Sequence, residues 1–311
     1  MKKVCLVGCG RIGKMHADNL AGKVELSFYS RSPESARALQ AEHAGSQVFE
    51  DFEQVLDAPV DAVLLASPPH VHAEQIIAGL AAGKSVLVEK PMCLTMAEVE
   101  EVGRAAEGAA GFLMVAENYY YKPSLALLKD WIGQGVVGDV QSVRVRKCFT
   151  QESADWRTEY GSLLEGGVHF IALVGGLLER EPVKVTAEFP GYTGAGAERH
   201  SLTRLDYGED LTAQLHYAWN VPSWTKGALQ HSRVVGDQGA IGFESNGLYA
   251  WARGKKKLLH WPGMKDLLGF AAMTRDFVAC LEGGQRPYSD FAKARRDLGI
   301  VFAAYGGLEG G

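Results

Sequence analysis

Short apolar segments alternate with amphipathic segments over the first third of the chain. Apolar runs such as Ala62–Ala66 and Val86–Val88 have the length of buried strands, Gln47–Phe49 forms a shorter one, and Ala97–Ala106 has helical periodicity. Apolar strands separated by helices are typical of a parallel sheet that is covered on both faces. The pattern therefore predicts an α/β fold whose first domain, residues 1–118, is a doubly wound sheet.

The rest of the chain has a different pattern. Between residues 183 and 260, segments of strand-like alternation such as Thr212–Tyr217 are separated by turn signals. Two helical stretches, Asp266–Leu281 and Ala292–Tyr305, follow. We interpret residues 119–311 as a second α/β domain with a large, mostly antiparallel open sheet, whose broad face suits contact between subunits.

Composition narrows the class of protein. The 311 residues are 47% hydrophobic and 22% charged, which suits a folded protein with a sizeable core. The net charge is −5 and the only basic run, Lys255–Lys257, is short, which argues against a sequence-independent nucleic-acid binder. The five cysteines show no metal-ligand spacing, and no stretch approaches the roughly 18 apolar residues of a membrane span. We expect a cytoplasmic protein with reduced thiols, no metal and no membrane contact.

A glycine-rich turn follows the first predicted strand. Gly8, Gly10 and Gly13 form a GxGxxG pattern, and Arg11 and Ile12 begin a helical stretch. In a strand–turn–helix context the first glycine permits the tight turn, the second lets a pyrophosphate approach the backbone, and the third allows close helix packing. The alternative is a glycine-rich turn without a ligand. We predict that these five residues bind a dinucleotide.

The end of the second predicted strand bears on the choice of cofactor. An NAD site usually has Asp or Glu there to hold the ribose hydroxyls, whereas this chain has Ser30, Arg31 and Ser32. A guanidinium beside hydroxyls suits a 2′-phosphate, so NADP is slightly favoured over NAD. Alternatively, Arg31 stacks on adenine or is simply solvated.

Two further loops follow predicted strands. Ser67 and Pro68 close one strand, and His72 follows, where it either contacts the cofactor or has a capping or packing role. Glu89 and Lys90 end the next strand. In open α/β sheets ligands bind beyond the carboxyl ends of the strands, where a lysine with a lowered pKa can exchange a proton with a substrate hydroxyl. The alternative for Glu89 and Lys90 is a solvated loop pair.

A second set of chemical groups lies in the apolar segment around residue 169. If the segment is a helix, Glu165 and His169 are four residues apart on one face, where the carboxylate can orient the imidazole. Gly166 and Gly167 cost roughly 1 kcal/mol each in a helix, and close approach of a nicotinamide or substrate would explain them. The alternative is a histidine paired with a glutamate for packing.

Three further residues are predicted to contact substrate. Tyr120 belongs to a run of three tyrosines that cannot all share one environment. Trp156 can stack on the apolar face of a sugar, and Arg157 can bind a carboxylate or phosphate. Equally, both can pack within their own loop.

Four motifs together resemble the Gfo/Idh/MocA oxidoreductases. They are the GxGxxG turn, the Ser67-Pro68-Pro69 loop, the segment Gly83–Pro91 with its Glu-Lys-Pro ending, and Gly167-Val168-His169. The resemblance implies an N-terminal Rossmann domain, and a C-terminal α/β domain whose open sheet shapes the substrate pocket and often a subunit interface. It also implies hydride transfer between a nicotinamide and a sugar, cyclitol or similar hydroxyl. A homodimer or homotetramer through the C-terminal sheet is expected.

The chain departs from the family pattern at two positions. The corresponding helix typically carries an aspartate four residues before the histidine, and often another three residues after it, where this chain has Glu165 and Ala172. The first change keeps a carboxylate, and the second removes a polar contact. Both put the common cyclitol substrate in doubt without removing proton transfer.

These residues support the hypothesis of an NAD(P)-dependent dehydrogenase or reductase. Lys90 would exchange the hydroxyl proton, His169 would relay it or hold the adjacent hydroxyl, and Glu165 would set the imidazole. Two alternatives remain: a glycosidase that uses tightly held NAD for transient oxidation, and a sensor that binds NAD(P) or a sugar without turnover.

Overall fold

The computed structural model describes residues 1–152, 158–263, 265–283 and 285–307. It divides into two compact units. The first comprises Met1–Glu117 and Phe270–Arg295, and the second comprises Asn118–Gly269 and the residues from Arg296 onward. The sequence assigned Phe270–Arg295 to the second domain, whereas this segment packs with the first unit.

Five parallel strands form the sheet of the first unit. They are β1 (Lys3–Val7), β2 (Glu25–Tyr29), β3 (Ala62–Leu65), β4 (Ser85–Val88) and β5 (Leu113–Val115), in the order β2-β1-β3-β4-β5. Every residue of β3 and β4 is buried, as expected for a sheet covered on both faces. The predicted strand Gln47–Phe49 is not formed. The segment touches β2 only through a bridge between Phe28 and Val48, which is too short for a strand.

Helices connect these strands. They are α1 (Arg11–Leu20), α2 (Pro33–His43), α3 (Phe52–Asp57), α4 (His72–Ala81) and α5 (Met96–Ala106), with a 3₁₀ turn at Pro69–Val71. A later helix, α8 (Phe270–Leu281), also belongs to the first unit. Helix α8 lies against α1, where the rings of Phe270 and His16 meet edge to face at 5.9 Å. Phe277 meets Phe112 at 6.0 Å in the same manner. These apolar contacts explain why a segment so late in the chain completes the first unit.

The second unit is built on one eight-stranded sheet. Its strands are β6 (Val140–Cys148), β7 (Lys184–Glu188), β8 (His200–Asp206), β9 (Thr212–Ala218), β10 (His231–Gly236), β11 (Gly239–Glu244), β12 (Ala250–Arg253) and β13 (Lys257–His260). They run in the order β13-β12-β11-β10-β6-β9-β8-β7, and every pairing except β6 with β9 is antiparallel. The predicted α/β fold with a large, mostly antiparallel second sheet is confirmed.

One face of this sheet is covered and the other is open. Along β6 and β9, buried residues alternate with residues that are exposed or half-buried. The remaining helices are α6 (Pro123–Gly133), a π-helical turn at Leu163–Gly167, α7 (Val168–Leu178) and α9 (Phe291–Gly306). The π-helical turn and α7 both contact β9. Within the described ranges, none of the helices combines the length and the apolar character needed to cross a lipid bilayer.

The five cysteines are buried and unpaired. Burial raises the pKa of Cys5 and of Cys93 to about 12, and that of Cys9 to about 11. These thiols therefore stay protonated at neutral pH and are poor nucleophiles.

Candidate functional site

The glycine-rich turn joins the carboxyl end of β1 to α1. Gly8 has a φ of +98°, and a Cβ there would lie 2.6 Å from the carbonyl oxygen of Ala66, just after β3. A Cβ on Gly13 would lie 2.0 Å from the carbonyl oxygen of Gly8. Backbone packing therefore accounts for both glycines: one closes the turn, and the other brings α1 onto it.

Gly10 has no such packing reason. Its φ of −81° suits any residue, it is exposed, and a Cβ there would meet nothing within 4 Å. It precedes α1, whose first amides have no intrahelical partner and whose first turn holds no acidic residue. Such a helix start favours an anion, and close approach of that anion to the backbone would explain Gly10. The loop fits the pyrophosphate of a dinucleotide, with Arg11 exposed and Ile12 half-buried at the helix start.

The segment after β2 carries an exposed guanidinium. Arg31 is exposed, and no carboxylate of the described residues forms an ion pair with it. Ser30 Oγ accepts a hydrogen bond from the Ser32 amide at 3.4 Å, and Ser32 in turn caps α2.

His72 holds two loops together. The Ser67 and Pro68 segment leaves β3, and the ring of His72 lies with Nε2 2.8 Å from the carbonyl oxygen of Ser67 and Nδ1 2.9 Å from that of Pro91. Carbonyl oxygens only accept hydrogen bonds, so both contacts are hydrogen bonds only when both ring nitrogens carry a proton. Burial opposes this doubly protonated state, because it lowers the pKa of His72. The ring is 0% exposed. The direct cofactor contact predicted for His72 is therefore replaced by support of the Ser67 and Pro91 loops.

Glu89 fixes the backbone that carries Lys90. One oxygen of this buried carboxylate lies 2.7 Å from Nε2 of His16 on α1, and the other accepts a hydrogen bond from the Lys90 amide at 3.2 Å. The Lys90–Pro91 peptide is cis, and the Lys90 side chain is half-buried. Glu89 thus links the loop after β4 to the helix that follows the glycine-rich turn.

The first unit therefore gathers its predicted residues at one sheet edge. Gly10, Ser67 and Lys90 follow β1, β3 and β4, which are neighbours in a parallel sheet. Because parallel strands end at the same edge, the three loops lie side by side where ligands of open α/β sheets bind.

In the second unit, the segment around His169 is not the regular helix that the sequence predicted. Glu165 lies in the π-helical turn, and His169 lies in the first turn of α7. A Cβ on Gly166 would lie 2.0 Å from the hydroxyl oxygen of Tyr217 on β9. Tyr217 packing thus explains this glycine, which we had expected to admit a ligand. Single π-helical turns occur frequently at functional sites.

A buried carboxylate holds the start of this turn. Glu198 accepts hydrogen bonds from the Ser162 hydroxyl, the Leu163 amide and the Tyr305 hydroxyl, each at 2.7 Å. Burial raises the pKa of Glu198, while these three donors stabilise its ionised form. Glu198 thereby anchors the segment on which Glu165 and His169 lie.

His169 stacks on an aromatic ring. Its imidazole and the Tyr119 ring are nearly parallel, with centroids 4.7 Å apart and an interplanar angle of 13°. The ammonium of Lys122 lies 4.3 Å from the centroid of the same tyrosine, and Phe170 meets it edge to face at 5.1 Å. Neither Tyr119 nor Lys122 was predicted from the sequence, although the run of three tyrosines was a signal.

Tyr120, the tyrosine predicted to contact substrate, lies in the core. It is 5% exposed, its hydroxyl donates to Asp297, and it accepts from Arg296. A buried tyrosine with both hydrogen-bonding roles used is a packing residue. The tyrosine that lies beside His169 is Tyr119. The predicted substrate residues Trp156 and Arg157 lie outside the described residues.

One exposed cluster has the residue types of a metal site. Ligand atoms of Asp18, Glu42 and His43 lie within 4.8 Å of one another. The Lys14 ammonium contacts both carboxylates, that of Asp18 at 3.8 Å. A lysine already occupies the position that a cation would take, so we assign no metal to this cluster.

The fold is shared with solved structures of other proteins. An oxidoreductase from Agrobacterium radiobacter, in complex with NAD+, L-tartaric acid and magnesium, superposes with a TM-score of 0.89 at 17% identity, covering 99% of this chain and 96% of that one. A levoglucosan dehydrogenase in complex with NADH and levoglucosan gives 0.86 at 21% identity, covering 98% and 97%. At these identities the likeness shows the fold alone.

Sequence relatives and family models are more specific. Glucose-6-phosphate 3-dehydrogenase of Bacillus subtilis is 29% identical over 228 residues, which span 69% of this chain and 65% of the relative, less than two thirds of its length. The model of an oxidoreductase family with an NAD-binding Rossmann fold matches residues 2–117, and that of the GFO/IDH/MocA C-terminal domain matches residues 125–242. Since the two models cover most of the chain, in order, the chain belongs to the Gfo/Idh/MocA family of oxidoreductases.

Proposed function

We propose that the protein is an NAD(P)-dependent oxidoreductase that transfers a hydride between a nicotinamide and a secondary hydroxyl or ketone of a sugar, cyclitol or sugar derivative. The observation that carries the proposal is the place of Lys90, on the sheet edge that also carries Gly10. Two proteins similar to this chain are named for sugar substrates, glucose 6-phosphate and levoglucosan.

The residues that would hold the cofactor lie in the first unit. The turn from Gly8 to Gly13 would bind the pyrophosphate through backbone amides, and Arg31 would bind a 2′-phosphate. The walls of the cofactor site would be formed by Ser30, Ser67, Pro68 and Glu89. When bound, the nicotinamide supplies or accepts the hydride.

Side chains of this protein would transfer the proton and bind the substrate. Lys90 exchanges a proton with the substrate hydroxyl, and its ammonium stabilises the oxygen as negative charge develops there. His169 relays that proton or holds an adjacent hydroxyl, and Glu165 orients the imidazole. The Tyr119 ring, which stacks on the imidazole of His169, limits rotation of that imidazole. It would also contact the substrate, the role that the sequence predicted for Tyr120.

The test is nicotinamide absorbance across a panel of cyclitols, free sugars and nucleotide sugars, with NAD and NADP compared side by side. We expect a net absorbance change with at least one compound. Glycoside turnover without net nicotinamide reduction would favour the transient-oxidation glycosidase. Cofactor binding without turnover of any compound would favour the sensor.

Arg31 should decide the preference for NADP. Replacing Arg31 by Ala removes a charge-assisted hydrogen bond worth about 1.5–3 kcal/mol, so kcat/KM for NADP should fall roughly 10- to 150-fold while that for NAD changes little. Steady-state kinetics with both cofactors measures this. Arg37→Ala, at an exposed position on α2, is the matched control and should change neither value. An equal loss for both cofactors would contradict a 2′-phosphate role.

A further inference from the structure

A lysine lies on the covered face of the eight-stranded sheet. Lys147 is two residues after the buried Val145 on β6, so the two side chains point to the same face. The register pairs Lys147 with Tyr217 on the parallel strand β9, and neighbouring strands are about 4.8 Å apart. Tyr217 is the residue that packs against Gly166 in the π-helical turn. Lys147 is therefore on the side of the sheet that carries this turn.

The ammonium of Lys147 joins two loops of the second unit. Its Nζ donates hydrogen bonds to the carbonyl oxygen of Gly227, after β9, and to Oδ1 of Asn246, after β11, each at 2.6 Å. The ring centroid of Phe149 lies 5.4 Å from Nζ. An ammonium has three N–H donors. Within the described part of the chain nothing accepts a hydrogen bond from the third.

No carboxylate of the described residues forms an ion pair with Lys147. The buried Glu244 accepts hydrogen bonds from the amide and Nδ2 of Asn246 and from the Leu248 amide, so it is linked to Lys147 through Asn246. Burial lowers the pKa of Lys147, and the attraction of Glu244 offsets this only in part. A partly buried charge without a direct counter-ion has a free-energy cost that an anion would recover.

Solvent reaches Lys147, although its neighbours on the covered face are buried. Val145, Leu215 and Tyr217 are at most 6% exposed, whereas Lys147 is half-buried. Since the covered face is otherwise closed at this point, the exposed part of Lys147 opens to a depression on the covered side. A ligand can therefore approach the ammonium from that side.

A row of aromatic rings links Lys147 to His169. The rings, in order, are Phe149, Tyr217, Phe170 and Tyr119, with successive centroids 5.1–6.2 Å apart. The two ends of the row are half-buried, and its middle is buried. Glu165 and His169 are half-buried as well. The second unit thus carries an amine at one end of an apolar row and an imidazole at the other.

We propose that Lys147 binds a carboxylate of the substrate, so that the enzyme prefers a sugar acid to the corresponding neutral sugar. The proposal rests on the proposed hydride-transfer function. The third N–H of Lys147 donates to a carboxylate oxygen, and hydrogen bonds between charged groups are about twice as strong as neutral ones. A phosphate has three acceptor oxygens and a charge near −2, whereas Lys147 supplies one charge and one N–H, so a carboxylate fits better.

Lys147 also supports the fold, because it joins the loops at Gly227 and Asn246. Loss of that support would weaken the binding of acidic and neutral compounds alike. Loss of a carboxylate contact would weaken the binding of acidic compounds only. The ratio of the two affinities therefore separates recognition from support.

Isothermal titration of the protein with matched sugars tests the proposal, with reduced nicotinamide cofactor present so that the hydroxyl compounds are not oxidised. The pairs are D-glucuronate with D-glucose, D-galacturonate with D-galactose, and D-gluconate with D-sorbitol. In at least one pair we expect the acid to bind the wild type about tenfold or more tightly than its partner. Lys147→Met should weaken binding of that acid about 10- to 150-fold and binding of the neutral partner less than about threefold.

Two further variants make this test specific. Lys147→Gln keeps N–H donors for the two loops but not the charge, so it should lose the preference for the acid as Lys147→Met does. Lys23→Met removes a lysine at an exposed position just before β2 and should bind every compound as the wild type does. Thermal melting checks that each variant is folded.

Four results would overturn the proposal. They are an acid that never binds more tightly than its neutral partner, an equal loss for acid and neutral sugar in both Lys147 variants, and an equal loss of acid binding in Lys23→Met. The fourth is tighter binding of D-glucose 6-phosphate than of D-glucuronate, which would replace the carboxylate by a phosphate.

Failure of the proposed function would give a different result. A preference for acids that depends on Lys147, without any change in nicotinamide absorbance, would contradict hydride transfer and leave the carboxylate site in place. An absorbance change with neutral sugars, without any preference for acids, would support hydride transfer and overturn the carboxylate site.

Discussion

Replacing Lys90 by Met is expected to lower kcat by about 10²- to 10⁴-fold, the range of a single general acid or base, with cofactor affinity nearly unchanged. Methionine keeps the length of the side chain but cannot exchange a proton. The loop should keep its shape, because Glu89 contacts the backbone amide of residue 90 and His16. Steady-state kinetics with the substrate identified by the panel, together with fluorescence titration of the cofactor, measures both quantities.

Two further variants sharpen this test. Arginine keeps the positive charge but does not lose its proton in proteins, so Lys90→Arg should be impaired nearly as much as Lys90→Met if proton exchange is the role. Lys84→Met changes a lysine just before the amino end of β4, where its ammonium donates to the Ala58 carbonyl. That control should keep kcat near the wild-type value. A Lys90→Met enzyme with normal kcat and weakened cofactor binding would contradict the catalytic role.

Replacing Gly13 by Ala is expected to destabilise the protein by about 3 kcal/mol or more. Replacing Gly10 by Ala should leave stability almost unchanged but weaken cofactor binding at least tenfold. At Gly13 the new methyl group would meet the Gly8 carbonyl oxygen at 2.0 Å, and overpacking against backbone is costly. At Gly10 the methyl group would enter open space, where we place the pyrophosphate. Thermal melting without ligand and fluorescence titration with NADH and NADPH measure the two effects.

A third glycine provides the control for this pair. Gly299 lies inside α9, and a Cβ there would also meet nothing within 4 Å. Gly299→Ala should stabilise the protein by roughly 0.5–1 kcal/mol through helix propensity and leave cofactor affinity unchanged. If Gly10→Ala binds the cofactor as well as the wild type does, Gly10 does not contact the pyrophosphate.

The first unit was largely predictable because its information is local. A strand, a glycine-rich turn and a helix follow one another between Val4 and Leu20, so the order of residues dictates the order of elements. The ends of β3 and β4 were equally clear, since each apolar run stops at a polar or proline residue. Parallel pairing then brings Ser67 and Lys90 to the edge that carries Gly10, by a general rule of such sheets.

The expectations that failed depended on contacts far apart in sequence. Tyr119 and Tyr120 look identical in a run of tyrosines, but only the fold shows that Tyr120 bonds to Asp297 and Tyr119 stacks on His169. The glycine at position 166 was expected to admit a ligand, yet it accommodates Tyr217, a residue 51 positions later in the chain. The helix propensity of a glycine gives no information about which distant residue packs against it.

By itself, the amino-acid order determined the α/β class, the glycine-rich turn and the lysine at the end of β4, because strand length, helix periodicity and turn chemistry act over a few residues. The tertiary structure alone decided which ring meets His169 and why Gly10 differs from Gly13. These features arise from strand register and from packing between distant segments. Both are set by the whole chain and not by any short stretch of it.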